Sequence, residues 1–142
     1  LTPEPTTVPQ TPTTGPDPAV VAYFRQAGPA LSEIGDGLSG FGRLFDKPQF
    51  GDTSWQLQVA AQIAKIRNGH EAMTKIQNVP PAAQLGHDKL LDATSDCDEG
   101  AQKVAKGLDN ADASEFQEAT ALIQSCHTKQ QEAEKLMEPI LP

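Results

Sequence analysis

The sequence predicts an all-α protein: an antiparallel up-down-up-down four-helix bundle held by one inter-helix disulfide. Three observations carry that prediction. Apolar residues recur at alternating intervals of four and three over four separate stretches, which puts one buried stripe on each of four helices. Aromatic residues make up only 5% of the 142, so a core has to be filled by Leu, Ile, Val, Ala and Met, which suits helices better than a β-sandwich. The two cysteines, Cys97 and Cys126, lie almost equally far from a turn expected near residues 111 and 112.

Residues 1–16 hold five of the twelve prolines and a series of threonines, with almost nothing apolar to bury. They read as a disordered Thr/Pro-rich tether ahead of a helical domain at 17–142. Asp17 caps the first helix and Pro18 opens it, at a position where a missing N–H costs nothing. Its stripe is Val20, Phe24, Ala27, Leu31, Ile34, Leu38, Phe41 and Phe45, and Asp46-Lys47-Pro48 ends it. Glycines at 28, 35, 37, 40 and 42 each weaken this helix by up to about 1 kcal/mol relative to Ala, and a kink is expected at Pro29.

Thr53 with Gln56 matches a capping box and starts the second helix. Its stripe is Trp55, Val59, Ile63, Ile66, His70, Met73 and Ile76, closed by Val79-Pro80-Pro81. Pro81 opens the third, striped by His87, Leu90, Thr94, Cys97, Ala101, Val104 and Leu108, with Gly107 as the expected C-terminal cap. Asp112, with Glu115 three residues on, starts the fourth, striped by Phe116, Ala119, Ile123, Cys126, Ala133 and Met137, broken once at Gln130 and stopped at Pro139. Antiparallel neighbours pair positions whose numbers sum to a constant, so Cys97 and Cys126 face each other across the third and fourth helices. Their disulfide implies an oxidising, extracytoplasmic compartment.

The formal charge of −8 excludes nucleic acid and anionic membrane surfaces as partners, since both are polyanions. No apolar run approaches the length that crosses a bilayer, and the first residues carry no charged or apolar leader pattern; a signal sequence, had there been one, would already be removed. Catalysis has little to stand on. There is no GxSxG, the cysteines are better used as a crosslink than as a nucleophile, and no carboxylate pair has a recognisable spacing, so an enzyme is not expected.

Other patterns have ordinary readings. Gly35, Gly37 and Gly40 spell GxGxxG, but inside a helical heptad pattern with no βαβ unit it is no dinucleotide fingerprint. Those glycines instead allow close helix approach, or leave a groove where a ligand enters between helices. His70 and His87 are brought near each other by the turn at Val79 and Pro80, and with Glu71 and Asp88 they are the only metal candidates. No Glu-x-x-His or HExxH accompanies them, and a hydrogen-bonded core pair is the simpler reading, so no metal is expected. Without CxxCH, haem would rest on His70, His87 and Met73 alone, and no cofactor is expected. Asp92, Asp96, Asp98 and Glu99, with Asp109, Asp112, Glu115 and Glu118, form an acidic side without calcium-loop spacing.

The run Ile76-Gln-Asn-Val-Pro-Pro81, followed by His87, Leu90-Leu91, Gly100-Ala101, Leu108, Asp112, Ala119 and Ile123, resembles uncharacterised bacterial lipoproteins and secreted helical domains over about residues 73–137. Such proteins place a Thr/Pro-rich linker after a lipidated cysteine, which is similar to residues 1–16, although that cysteine is not in this chain. The resemblance implies membrane contact only through a lipid anchor upstream, and it carries no activity. The expected function is a non-enzymatic cell-envelope or secreted interaction module that binds a protein or wall component. The alternative is a small-molecule or metal-binding bundle that uses the His70/His87 region or the glycine-lined side of helix one.

Overall fold

The structure, a computed structural model, describes residues 17–142; the tether expected at 1–16 lies outside them. Four helices follow in order: α1 Pro18–Asp46, α2 Thr53–Thr74, α3 Gln84–Asn110 and α4 Ala113–Met137. Single 3-10 turns occupy Pro81–Ala83 and Glu138–Ile140. Backbone contact runs sequentially, α1 with α2, α2 with α3 and, most extensively, α3 with α4. The fold is therefore the expected all-α bundle with up-down connections, built as two tight hairpins joined along α2 and α3.

Helix ends follow local chemistry, with corrections. Asp17 accepts from the Ala19 N–H at 2.9 Å, as its position predicts. At α2 the cap is Asp52, not Thr53: its carboxylate takes the N–H groups of Ser54 and Trp55. Gln56 donates to the Phe50 carbonyl instead of closing a capping box. A carboxylate is the stronger acceptor for a helix N-terminus, because it also meets the helix dipole. α3 ends at Ala111 in the left-handed region, φ 50°, while Gly107 stays inside the helix, buried against Phe116. Asp112 caps α4 through Ser114, as expected.

Glycine decides which face of α1 is innermost. The buried line is Val20, Tyr23, Ala27, Ala30, Ile34, Gly37 and Phe41, whereas Phe24, Leu31, Leu38 and Phe45 flank it half-buried. A Cβ on Gly37 would meet the Gln62 carbonyl at 2.9 Å, and one on Gly69 would meet the Ala30 carbonyl at 2.6 Å. The two backbones approach too closely there for any side chain, so the small-residue line of α1 turns to α2. The larger apolar residues are displaced to its edge.

Cys97 and Cys126 form the predicted disulfide between α3 and α4, with Cα atoms 5.3 Å apart. Gly100 lies one turn from it, where a Cβ would meet Ile123 at 3.0 Å. Ion pairs stitch the outer faces of the same hairpin: Lys129 with Asp92 and Asp96, Lys103 with Glu115 and Glu118, and Lys89 with Glu132. No helix among the described residues is long and apolar enough to cross a membrane. Together with the disulfide, this fits an extracytoplasmic protein.

Candidate functional site

α2 holds α1 and α3 holds α4, and the remaining edge of the bundle, between α1 and α4, is open. Two cavities lie along it. The larger, about 450 Å³, is lined by Leu38, Phe41, Gly42, Phe45, Phe50, Val104, Phe116, Ala119, Thr120 and Ile123. The smaller, about 330 Å³, is lined by Phe24, Leu31, Gly35, Leu90, Gln130, Ala133, Glu134, Met137 and Leu141. The walls have a common period. On α1 they are Phe24, Leu31, Leu38 and Phe45, and on α4 Met137, Gln130, Ile123 and Phe116, each seven residues from the next. These are the rungs of a heptad seam in antiparallel register.

The larger cavity is nearly devoid of hydrogen-bonding capacity. Its one side-chain hydroxyl, Thr120, already donates to the Phe116 carbonyl at 2.9 Å. Four of the five phenylalanines line it, and the fifth, Phe24, lines the other cavity. Phe45 lies edge-on to both Trp55 and Phe116, and Phe50 tilts over Phe116 with ring centroids 6.4 Å apart. The Trp55 indole donates to the Leu44 carbonyl at 3.0 Å, which anchors this cluster to the end of α1. Phe50, in the α1–α2 connection, is 54% exposed, as a residue at the mouth of a cavity is.

The histidines do not converge. His70 Nδ1 bonds the Thr94 hydroxyl at 2.8 Å, and His87 Nδ1 bonds the Tyr23 hydroxyl at 3.0 Å. The symmetric turn puts His70 opposite residue 89, but it meets α3 at Thr94. The reason is that α2 ends at Thr74, not at Val79, and an extended connection covers roughly twice the length per residue of a helix, which offsets α3. Burial lowers the His87 pKa below 6.5, against a partial opposing pull from Asp88. Burial, reinforced by Asp88, pushes the Tyr23 phenol up to about 12. Both groups are therefore neutral at pH 7, and the Tyr23 hydroxyl donates to the imidazole. Met73, the third residue weighed for haem, is fully buried in the core beside them. No group of three His, Cys, Asp or Glu side chains able to hold a metal ion occurs among the described residues.

The acidic side is largely internally paired. Burial alone would raise the Asp96 pKa, but hydrogen bonds from Lys129 and Ser125 outweigh it and lower the value. Gly37 and Gly40, from the GxGxxG string, pack on α2 at Ile66 and Gln62. Gly35 and Gly42 line the two cavities instead.

Sequence reasoning placed the cavity walls on the apolar stripes but did not separate them from the core. It gave Phe50 no role. A usable signal was there, because a chain with only five phenylalanines puts them all on one edge. No protein-family model matches the chain, and neither a curated protein nor a solved structure is significantly similar to it.

Proposed function

We propose that this chain is a non-enzymatic, exported binding module that holds an apolar small molecule in the phenylalanine-lined cavity between α1 and α4. The observation that carries this reading is the cavity itself. Its volume, about 450 Å³, falls within the roughly 300 to 1,000 Å³ of small-molecule sites. Its walls offer aromatic and aliphatic surface with the single hydroxyl satisfied internally. A ligand with hydrogen-bonding groups in that space would lose water without gaining partners. An aliphatic or aromatic body gains about 25 cal/mol per Å² of surface removed from water.

The disulfide supports export, and secretion or envelope anchoring is part of the same proposal. Between the two expected functions, the cavity favours the small-molecule bundle, at the glycine-lined side of helix one and not at the histidines. The test is native mass spectrometry of the oxidised chain purified from an export compartment, followed by organic extraction. A stoichiometric apolar adduct is the expected result, and a bare mass that also takes up no added aliphatic or aromatic probe would refute the reading.

A further inference from the structure

The outer rim of the α1–α4 groove carries a second heptad line. Arg25, Gly28, Ser32, Gly35, Ser39, Gly42 and Asp46 follow one another at alternating intervals of three and four, and all seven are exposed. A Cβ on Gly28, Gly35 or Gly42 would meet nothing within 4 Å. They thus differ from Gly37, Gly40, Gly69, Gly86, Gly100 and Gly107, each of which is packed against a neighbour. Beside this line lies apolar surface that the monomer leaves partly open: Phe24, Leu31, Leu38 and Phe45 are half-buried, while Phe50 and Leu141 at the two ends are each 54% exposed.

The charge pattern says what covers this face. The line reads the same from either end about Gly35, except that it begins with a cation and ends with an anion. A two-fold axis through Gly35 sets Gly28 against Gly42 of the second copy. The same axis brings Arg25 within one residue of Asp46 of the second copy, twice over by symmetry, and a guanidinium bridges that offset easily. The two other charges between Gly28 and Gly42, Glu33 and Asp36, are turned about 200° and 100° around the helix from Gly35. Elsewhere a chain of charge −8 would repel its own copy. This edge is self-complementary.

We propose that a second copy of this chain docks here, α1 against α1 in antiparallel order, with the glycines letting the backbones approach closely and the paired copy roofing the rim of the groove. The proposal is independent of the ligand, since it rests on the outer line and not on the cavity.

Sedimentation equilibrium of the oxidised full chain tests it with charge-reversal variants. The parent should show a concentration-dependent species of twice the 15.1 kDa chain mass. Arg25→Asp and Asp46→Arg should each be monomeric at concentrations where the parent is dimeric. The double variant Arg25→Asp/Asp46→Arg should regain the dimer, a rescue that no purely structural role for either residue produces. Gly35→Glu, which sets two like charges on the axis, should also be monomeric, with an unchanged helical spectrum to show that the fold persists. A monomeric parent would overturn the proposal, as would a dimer that survives Gly35→Glu or a double variant that stays monomeric. A parent that remains monomeric but binds an added amphipathic helix would assign the face to a different partner and overturn it as well.

Discussion

α4 has two apolar neighbours and treats them differently. Toward α3 it is closed by a disulfide, a glycine at the point of nearest approach and ion pairs along the rim. Toward α1 its rungs meet facing rungs of the same period, and the space between them stays empty over two cavities. The difference is not one of hydrophobic content, because Ile123 and Phe116 are as apolar as anything on the α3 side. It lies in the small residues. Where Gly100 and Gly107 sit between facing helices, backbones meet; where Gly35 and Gly42 sit, they lie on the rim and close nothing. A seam of large residues without small ones opposite leaves room, and room with apolar walls is a binding site.

The closed side can be broken first. Reducing the disulfide, or replacing Cys97 with Ser, should cost about 3 to 4 kcal/mol, the chain-entropy value for a loop of this length. Thermal melting with and without reductant reads it out, and the Cys97→Ser variant should be insensitive to reductant. Gly69→Ala should cost about 1 to 3 kcal/mol by overpacking against the Ala30 carbonyl and Ile34, measured by urea unfolding. Gly28→Ala, Gly35→Ala and Gly42→Ala sharpen the contrast, since the same substitution on the open side has nothing to strike. Each should stabilise the chain by up to about 1 kcal/mol through helix propensity, when melted at dilution low enough to keep it monomeric.

A smaller effect comes from Tyr23 and His87, which tie α1 to α3 behind the smaller cavity. Because burial lowers the His87 pKa in the folded state, the unfolded chain takes up the proton first as the solution is acidified. Stability from this site is therefore complete above pH 6.5, the unfolded value, and declines as pH falls below it toward the folded value. Replacing His87 with Gln should flatten that part of the stability–pH profile; a slope unchanged from the parent would place its origin elsewhere.

Much of the fold is legible in the sequence. The four heptad stripes, the caps at Asp17 and Asp112 and the symmetric placement of Cys97 and Cys126 all act locally or across one short turn, where spacing alone determines who meets whom. Errors arose where two local signals competed. Asp52 outbids Thr53 as a cap by its charge, and the extended stretch after Thr74 shifts α3 so that His70 finds Thr94. The candidate site was less legible for a different reason. Phe45 and Leu38 carry the same periodic signal as Ile34, and only the depth of the α1–α2 contact, set by Gly37, Gly40 and Gly69, decides that Ile34 is core while they border a cavity.

The most direct test of the open seam is a fluorescence titration with a neutral, environment-sensitive aromatic probe, comparing the parent with Thr120→Trp. The substituted indole starts from an exposed position on the cavity wall and fills the space without removing a core contact. The account predicts saturable binding of one probe per chain to the parent, none to Thr120→Trp, and equal melting temperatures. Absence of binding to the parent, or equal binding to both, would contradict it.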